Sequence, residues 1–216
     1  MTFARYVDYP SNWDHMEDGE VVKLFLLDPE TESDEYERVT NEFLQTLPNV
    51  EILRVQRVQN KILWERYLHC SKMIRKLDKP HLGEMLLFHG TKQNSPELIY
   101  TGTEGFDMRF SANGMWGRGN YFAVNSSYSN CYAFCTQDGN NKMFAAWVLT
   151  GSSFHSNPNP NLTKPPFLEE SASSSTSVRR RYDSVNGTTG GTRVYITYDN
   201  EHAYPAYLIT YKNYFQ

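Results

Sequence analysis

One continuous apolar run constrains the fold of this chain more than any other stretch. Residues 142–151 read KMFAAWVLTG, and a strand without a polar face has to be covered on both sides of its sheet. Aromatic residues make up 14% of the chain and include 15 tyrosines; such residues favour half-buried sheet surfaces and the walls of amphipathic pockets. The sequence therefore predicts a protein built on a β-sheet with a well-covered internal strand.

The first third of the chain alternates strand and helix patterns. VVKLFLL at 21–27 and EILRVQRV at 51–58 are typical of strands. Between them, the spacing predicts a helix with Ser33 as its N-cap and Pro48 as its stop. Asn60 is predicted to cap a second helix, whose apolar residues recur at helical spacing. We expect these helices to flank the sheet.

Charge and cysteine content narrow the class of protein. The formal net charge is -4 and the pI is near 5.9, so nothing in the overall charge favours tight binding to nucleic acid or a membrane surface. The three cysteines lack CxxC spacing, and we interpret the interval from Cys131 to Cys135 as one face of a helix rather than a metal site. No signal core or run of about 20 apolar residues is present, which predicts a soluble, intracellular protein in a reducing compartment, without a metal.

The stretch from Leu86 to Tyr132 holds the side chains that can form a polar pocket. It runs LLFHGT, a short helical segment, GFDMRF, the glycine-punctuated turn GMWGRGNYFA and SSYSNCY. His89, Tyr121, Ser129 and the final tyrosine are thereby placed around backbone that glycines leave open to close approach. We expect a pocket for a flat, polar, nucleotide-like ligand. GRG is not followed by GKS or GKT, so a nucleoside-triphosphate loop is not predicted.

The last part of the chain begins with a loop and ends in strands. Prolines and the SASSSTS run predict a long, mobile surface loop over 152–181. The three arginines at 179–181 are typical of a solvated loop, with contact to an acceptor or nucleic acid as the alternative. RVYITYD and AYLITYK then predict two strands joined by a turn.

Five motifs follow one another along the chain: LFHGT, GRGNYFAVNSSYSNCY, MFAAWVLTG, YDSV and YPAYLITYK. In this order they resemble the catalytic domain of the poly(ADP-ribose) polymerase family, the diphtheria-toxin-like ADP-ribosyltransferases. The motifs cover roughly Leu86 to Lys212, and Trp13, VVKLFLL and RVQNKILWERY look like the N-terminal lobe of its mono-ADP-ribosylating members. The resemblance implies an α+β fold: a split, mainly antiparallel β core with flanking helices and a cleft that binds NAD as co-substrate. It also implies one catalytic domain, with an N-terminal lobe at 1–80 and an NAD-binding core at 81–216.

The resemblance implies roles at the first part of the pocket. His89 would contact the adenosine-side ribose, Gly90 would present backbone groups to the nicotinamide amide, and Thr91 would lie beside them. Arg109 would reach the adenosine or the pyrophosphate. Taken alone, a histidine after a strand is more often structural, and an exposed loop arginine is usually a solvated charge.

The same resemblance assigns the second part. Tyr121 would face the nicotinamide ribose, and Phe122 and Ala123 belong to the same NAD-contacting segment. Ser129 would bond the carboxamide and Tyr132 would stack on the ring. An amide needs a hydrogen-bond donor and an acceptor, and its ring needs an aromatic face, which these residue types supply.

One position departs from the chain-elongating members of the family. Alignment of RVYITYD places Val194 where those members carry a glutamate, which bonds a ribose hydroxyl and helps to activate the acceptor. Valine removes that base, so polymer growth should fail, whereas single transfer depends chiefly on positioning and electrostatics. Glu201 is a possible replacement, but it follows the strand and lies in the predicted turn.

These points predict an enzyme that transfers one ADP-ribose from NAD to a protein acceptor, including itself, and releases nicotinamide. Val194 is counted among the catalytic positions together with His89 and Tyr121. Two alternatives are a module that binds NAD or ADP-ribose without transferase chemistry and an enzyme that modifies nucleic-acid ends. The net charge of -4 argues against the second.

Overall fold

The computed structural model describes residues 7–77, 83–168 and 179–214. The strands are β1 (Val22–Leu26), β2 (Val50–Asn60), β3 (Glu84–His89), β4 (Asn113–Gly114), β5 (Gly117–Arg118), β6 (Asn120–Ala123), β7 (Phe134–Cys135), β8 (Asn141–Leu149), β9 (Ser153–His155), β10 (Ser184–Thr189), β11 (Thr192–Thr197) and β12 (Ala203–Asn213). The α-helices are α1 (Ser33–Leu44), α2 (Lys61–Leu77), α3 (Glu97–Tyr100) and α4 (Ser126–Asn130), and 3-10 turns cover Met108–Phe110 and Asn200–His202.

One sheet organises the described residues. Its strand order is β1-β2-β12-β8-β3-β6-β11-β10-β9, with β7 also paired to β8, and β4 and β5 form a separate hairpin. The described pairings are antiparallel apart from the parallel pairing of β9 with β10. The fold is therefore α+β, with a mainly antiparallel core, as the sequence predicts.

The apolar run at 142–151 forms most of β8, which lies between β12 and β3. Met143 and Phe144, which are successive and so point to opposite faces of the sheet, are both buried and belong to two different apolar clusters. The expected cover on both faces is confirmed.

The sheet is split next to this strand. β3 pairs with β8 along its whole length, but it meets β6 through a single residue pair, Phe88 with Ala123. From that point β6 continues into pairing with β11. The two halves of the sheet therefore diverge beyond Phe88, and this junction, which we call the seam, leaves room for a cleft.

The two long helices share their core with the sheet. Phe43 of α1 and Tyr67 of α2 lie in one buried cluster with Met143 and Ile209. Asn60 caps α2 as predicted, because its Oδ1 accepts a hydrogen bond from the backbone N–H of Leu63 over 3.1 Å.

The first helix differs from the prediction at both ends. Ser33 is its first helical residue rather than its N-cap, and the preceding Glu32 makes no side-chain cap bond. The helix ends at Leu44, before Pro48 is reached, with the N–H of Gln45 still bonded to the carbonyl oxygen of Asn41.

Two loop predictions are also corrected. Cys131 and Cys135 do not share a helical face, because α4 ends at Asn130 and Cys135 lies in β7. The stretch 152–181 contains β9 and a bridge between Phe167 and Arg181, so part of it is ordered by non-local pairing. The SASSSTS run lies outside the described residues.

The arginines that follow are not simply solvated. The guanidinium groups of Arg179 and Arg181 lie 3.9 and 3.7 Å from the ring centroid of Phe167, and Arg180 pairs with Asp183.

Among the helices that the structure describes, none has the length and apolar character needed to cross a membrane.

Candidate active site

A cleft of about 850 Å³ lies over the seam. The residues expected at the site line it, with the exception of Arg109: His89, Gly90, Thr91, Tyr121, Phe122, Ala123, Ser129, Tyr132 and Val194. They come from the end of β3, from β6, from α4 and the residues after it, and from β11. The split in the sheet therefore gathers the separated motifs around one space.

His89 ties the two halves of the sheet together with its side chain. Its Nδ1 lies 2.8 Å from the carbonyl oxygen of Tyr121, and because a carbonyl can only accept, Nδ1 carries the proton. Burial lowers the pKa of His89, although the bond to Tyr121 acts in the opposite direction. The neutral ring then has an unprotonated Nε2, which can accept a hydrogen bond from a hydroxyl such as that of a ribose.

Gly90 is required by close packing. A Cβ at this position would lie 2.2 Å from the carbonyl oxygen of Tyr132 and 2.7 Å from that of Ser129. The end of β3 therefore packs backbone against backbone on the segment that carries the serine and the tyrosine, and any side chain would push them apart.

Ser129 has a defined hydrogen-bonding direction. Its buried hydroxyl donates to the carbonyl oxygen of Phe88 over 2.9 Å. The hydroxyl oxygen keeps its acceptor capacity. In this arrangement Ser129 can accept from the N–H of a carboxamide, while the neighbouring Gly90 offers backbone groups.

Tyr121 presents its ring to the cleft, but its hydroxyl is engaged. The hydroxyl donates to the carbonyl oxygen of Gly117 over 2.7 Å and accepts from the N–H of Trp116 over 2.8 Å. Burial raises the pKa of Tyr121 to about 12, with the backbone bond to Trp116 opposing the shift. A phenol held in this way forms a wall of the cleft and does not serve as a base at neutral pH.

That wall is anchored through the turn before β6. Gly117 has φ +77°, and a Cβ there would lie 1.7 Å from the carbonyl oxygen of Leu162. The fully buried Trp116 donates from its indole nitrogen to the carbonyl oxygen of Ser156 over 3.0 Å. Its own carbonyl accepts from the hydroxyl of Tyr198 over 2.6 Å.

Val194 sits in the floor of the cleft. It pairs with Ala123 on one side and Gly187 on the other, is 1% exposed, and packs in an apolar cluster with Trp116 and Ile196. Valine offers no hydrogen-bonding group, so this position cannot activate a nucleophile.

The candidate replacement for that base lies elsewhere. Glu201 binds Arg66 over 2.6 Å and is not among the residues that line the described cleft. The carboxylates that do line the described cleft are Glu104 and Asp107. Glu104 pairs with Arg66 at 3.2 Å and accepts from the amide of Asn200, so its charge is already partnered.

Arg109 pairs with its neighbour in sequence. Its guanidinium lies 2.7 Å from the carboxylate of Asp107, and its side chain is 75% exposed. The Asp107 carboxylate also accepts from the backbone N–H of Arg109. The structure thus places this arginine outside the lining of the cleft. Thr91 lies in the lining, with its hydroxyl donating to the carbonyl oxygen of Asn94 over 2.6 Å.

The lining of the cleft also includes residues that sequence reasoning did not single out, among them Lys92, Trp116 and Tyr128. Tyr128 and Tyr132 have ring centroids 5.6 Å apart, although α4 ends at Asn130 and Tyr132 follows it. Their interval in SSYSNCY is the signal that could have identified Tyr128. The pKa of Tyr128 is raised by burial and by its hydrogen bond with Tyr132. Nothing in the sequence pattern indicates where Lys92 points.

Residues 99–104 contribute to the wall of the cleft and are held by side chains from outside it. Asn60 donates to the carbonyl oxygens of Tyr100 and Gly102 over 2.9 and 3.1 Å, and Arg66 donates to the carbonyl oxygen of Thr103. Both come from the first part of the chain, which therefore helps to shape the cleft. Among the described residues, no group of three or more histidines, cysteines or acids is placed to hold a metal ion.

Comparison with known proteins accords with this geometry. A sequence model of the poly(ADP-ribose) polymerase catalytic domain matches residues 33–213. The chain is similar to a probable poly [ADP-ribose] polymerase of Dictyostelium discoideum, with 36% identity over 98% of this chain and 60% of that protein. It is also similar to protein mono-ADP-ribosyltransferases PARP14 and PARP11 of Homo sapiens, each 29% identical over 95% of this chain.

This chain spans only 11% of the length of PARP14 and 64% of that of PARP11, so it corresponds to one part of these relatives. The match to the family nevertheless extends from α1 to the end of β12 and includes every residue that lines the cleft. The chain belongs to the family of poly(ADP-ribose) polymerase catalytic domains.

Proposed function

We propose that this chain transfers a single ADP-ribose from NAD to a side chain of a protein acceptor, itself included, and releases nicotinamide. In this reaction the bond between the nicotinamide nitrogen and the ribose carbon breaks, and its electron pair leaves with nicotinamide. The acceptor atom then bonds to the same carbon, and an acceptor that carries a proton, such as a hydroxyl, loses it. The observation that carries the proposal is the buried, apolar Val194 in the floor of a cleft that also gathers His89 and Ser129.

The polar side of the cleft suits the proposed substrate. His89 offers Nε2 to a ribose hydroxyl, because Nδ1 is held by the carbonyl of Tyr121. Gly90 and Ser129 offer backbone groups and a hydroxyl oxygen to the carboxamide, and the absence of a Cβ at position 90 lets their two segments pack together. Tyr132 offers an aromatic face for the ring. Together these groups bind and orient the substrate, and positioning of this kind supplies much of the catalysis.

Val194 supports the restriction to a single unit. A glutamate in this position would present a carboxylate to the ribose and to an incoming hydroxyl, whereas valine presents only methyl groups. The acceptor must then bring its own nucleophile. A side-chain carboxylate is already deprotonated at neutral pH and needs no base, so single transfer is compatible with valine at this position.

The proposal extends to the organisation of the chain. We infer one catalytic domain over 1–216, with residues 1–80 as a lobe that packs on the NAD-binding core at 81–216. Support comes from the apolar cluster that joins Phe43 and Tyr67 to Ile209, and from the bonds of Asn60 to the wall of the cleft. An intracellular setting, where NAD is available and the three free cysteines stay reduced, is part of the proposal.

Mass spectrometry after incubation with NAD tests the activity. We expect nicotinamide release together with mass increments of one ADP-ribose per modified side chain, and loss of both in a His89→Ala variant that still folds. Long polymers would contradict the argument from Val194. Calorimetric binding of NAD without nicotinamide release would instead identify a binding module, and label on an added oligonucleotide, abolished by salt, would identify a nucleic-acid acceptor.

A further inference from the structure

A positive charge stands over the ring of Tyr132, which lines the cleft. The Nζ of Lys92 lies 4.7 Å from the ring centroid of Tyr132. Lys92 is the one lysine or arginine among the described residues that line the cleft. Within the described part of the chain, it forms no ion pair with a carboxylate.

The backbone holds this lysine to the same tyrosine. The N–H of Lys92 donates to the carbonyl oxygen of Tyr132 over 2.8 Å. Lys92 has φ 51°, and in the part of the chain that the structure describes it is the one residue other than glycine with a positive φ. A side chain rarely adopts this conformation without compensation. The turn between His89 and α3 thus sets the direction in which this side chain leaves the backbone.

The carboxylates that line the described cleft are held by arginines rather than by Lys92. Glu104 shares Arg66 with Glu201, and Asp107 pairs with Arg109. Val194 leaves the floor without an anion. Among the described charges that line the cleft, the ammonium of Lys92 is the one that stands over the ring of Tyr132.

We propose that Lys92 is a specificity-determining residue that disfavours a cationic ring on Tyr132 and favours a neutral one. The inference rests on the proposed function, in which the nicotinamide ring stacks on Tyr132. In NAD this ring is positively charged. When the bond to the ribose breaks, the electron pair of that bond passes to the ring nitrogen, the ring becomes neutral, and the positive charge moves to the ribose carbon until the acceptor bonds there.

The consequence is that Lys92 raises the free energy of the bound substrate relative to the state in which nicotinamide has left. Repulsion between like charges falls as the charge leaves the ring. Because Lys92 is exposed, solvent screens part of this repulsion, and we expect an effect of about three- to tenfold that shrinks with added salt.

Binding of small ring ligands measures this effect without catalysis. Nicotinamide is neutral, and N1-methylnicotinamide carries the fixed charge of the substrate ring. In the wild type, calorimetry gives the ratio of their affinities. We expect Lys92→Met to reduce the preference for the neutral ring by about three- to tenfold, and Lys92→Arg to keep it. Lys72→Met, on the exposed surface of α2 and away from the cleft, is the matched control and should leave the ratio unchanged.

ADP-ribose separates this role from phosphate binding. It lacks the nicotinamide ring, so its affinity should be the same in the wild type and in Lys92→Met. An equal loss of affinity for ADP-ribose would show that the lysine binds the diphosphate, and would overturn the inference. An unchanged ratio of the two ring ligands would also overturn it.

Steady-state kinetics gives a second readout. Removal of ground-state repulsion lowers both kcat and KM for NAD, so we expect both to fall in Lys92→Met. A rise in KM with unchanged kcat would contradict the proposal. Failure of wild-type protein to bind nicotinamide or NAD at all would refute the proposed function itself, and the inference with it; binding with an unaltered ratio would refute the inference alone.

Discussion

The hydroxyl of Tyr121 donates to the carbonyl oxygen of Gly117 over 2.7 Å, and through this bond the strand β6 fastens the turn that precedes it. The same oxygen accepts from the N–H of Trp116, so one side chain satisfies both a donor and an acceptor of the turn. Tyr121 thus forms a wall of the cleft with its ring, while its hydroxyl is bonded to the turn.

Tyr121→Phe tests this structural role. The variant keeps the ring but loses both bonds of the hydroxyl, and leaves two backbone groups of the turn without partners. We expect a loss of about 1–3 kcal/mol in the free energy of unfolding and weaker NAD binding, with the pH dependence of binding unchanged. Tyr195→Phe, on the neighbouring strand and outside the cleft lining, is the control. A Tyr121→Phe variant with wild-type stability would contradict the anchoring role.

His89 makes NAD binding depend on pH. Burial lowers its pKa below the ordinary 6.5, so the folded protein keeps Nε2 unprotonated at neutral pH. Acidification should therefore leave NAD affinity flat down to about 6.5 and reduce it at lower pH, with a midpoint below that value. Calorimetry between pH 5 and 8 measures the profile, and His89→Ala should bind weakly at every pH without that midpoint.

The free energy of unfolding should also fall on acidification, but it reports on His89 less specifically than NAD binding does. The unfolded chain binds a proton near pH 6.5, before folded His89 does, so the free energy of unfolding falls as pH drops from that value toward the folded pKa. His202 has a pKa lowered mainly by burial, against the pull of Asp199, and contributes in the same window. A midpoint of NAD binding above 6.5 would contradict the assignment of Nε2 as an acceptor.

Val194→Glu probes how much one residue controls product length. The new carboxylate replaces a buried methyl pair in the cluster with Trp116 and Ile196, so we expect a loss of about 1–3 kcal/mol in the free energy of unfolding. If the position alone limits elongation, gel analysis should show products longer than one unit. Val194→Gln has the same shape without the charge and should not elongate. Polymer from the glutamine variant would exclude a carboxylate base as the cause.

Gly187→Ala should displace the indole of Trp116. The added Cβ would lie 2.0 Å from the indole ring, and because Trp116 is fully buried and bonded to Ser156 it cannot simply move aside. We expect a loss of about 1–3 kcal/mol in denaturant unfolding and weaker NAD binding. Combining it with Trp116→Leu, which makes room, should cost less than the sum of the two single changes; strict additivity would show that the two residues do not compete for space.

Much of the fold is encoded in local sequence patterns. A prediction from these patterns succeeds where the residues concerned have partners nearby in the sequence. The covered strand β8 and the capping of α2 by Asn60 follow from periodicity and cap chemistry, and both are confirmed. The prediction that Cys131 and Cys135 share a helix face is wrong, because the chain leaves α4 at Asn130 and then pairs with β8, a contact that no local pattern shows.

The candidate site divides in the same way. The residues expected to surround His89 line one cleft, because β3 meets β6 at the seam and β11 pairs with β6 there. Arg109 behaves differently, since Asp107 is close enough in sequence to capture its charge. Lys92 could not be placed from the sequence, because its direction depends on a left-handed turn held by the distant carbonyl of Tyr132.

The seam also bears on what ligand binding does to the protein. The two halves of the sheet meet at Phe88 and Ala123, and the next link is the imidazole of His89 on the carbonyl of Tyr121. A ligand that touches both halves would act as a cross-brace where the backbone ladder stops. Ligand binding would then stabilise the seam against local opening. Saturating ligand should therefore protect the amides of β3 and β6 from hydrogen exchange more than those of β1 and β2.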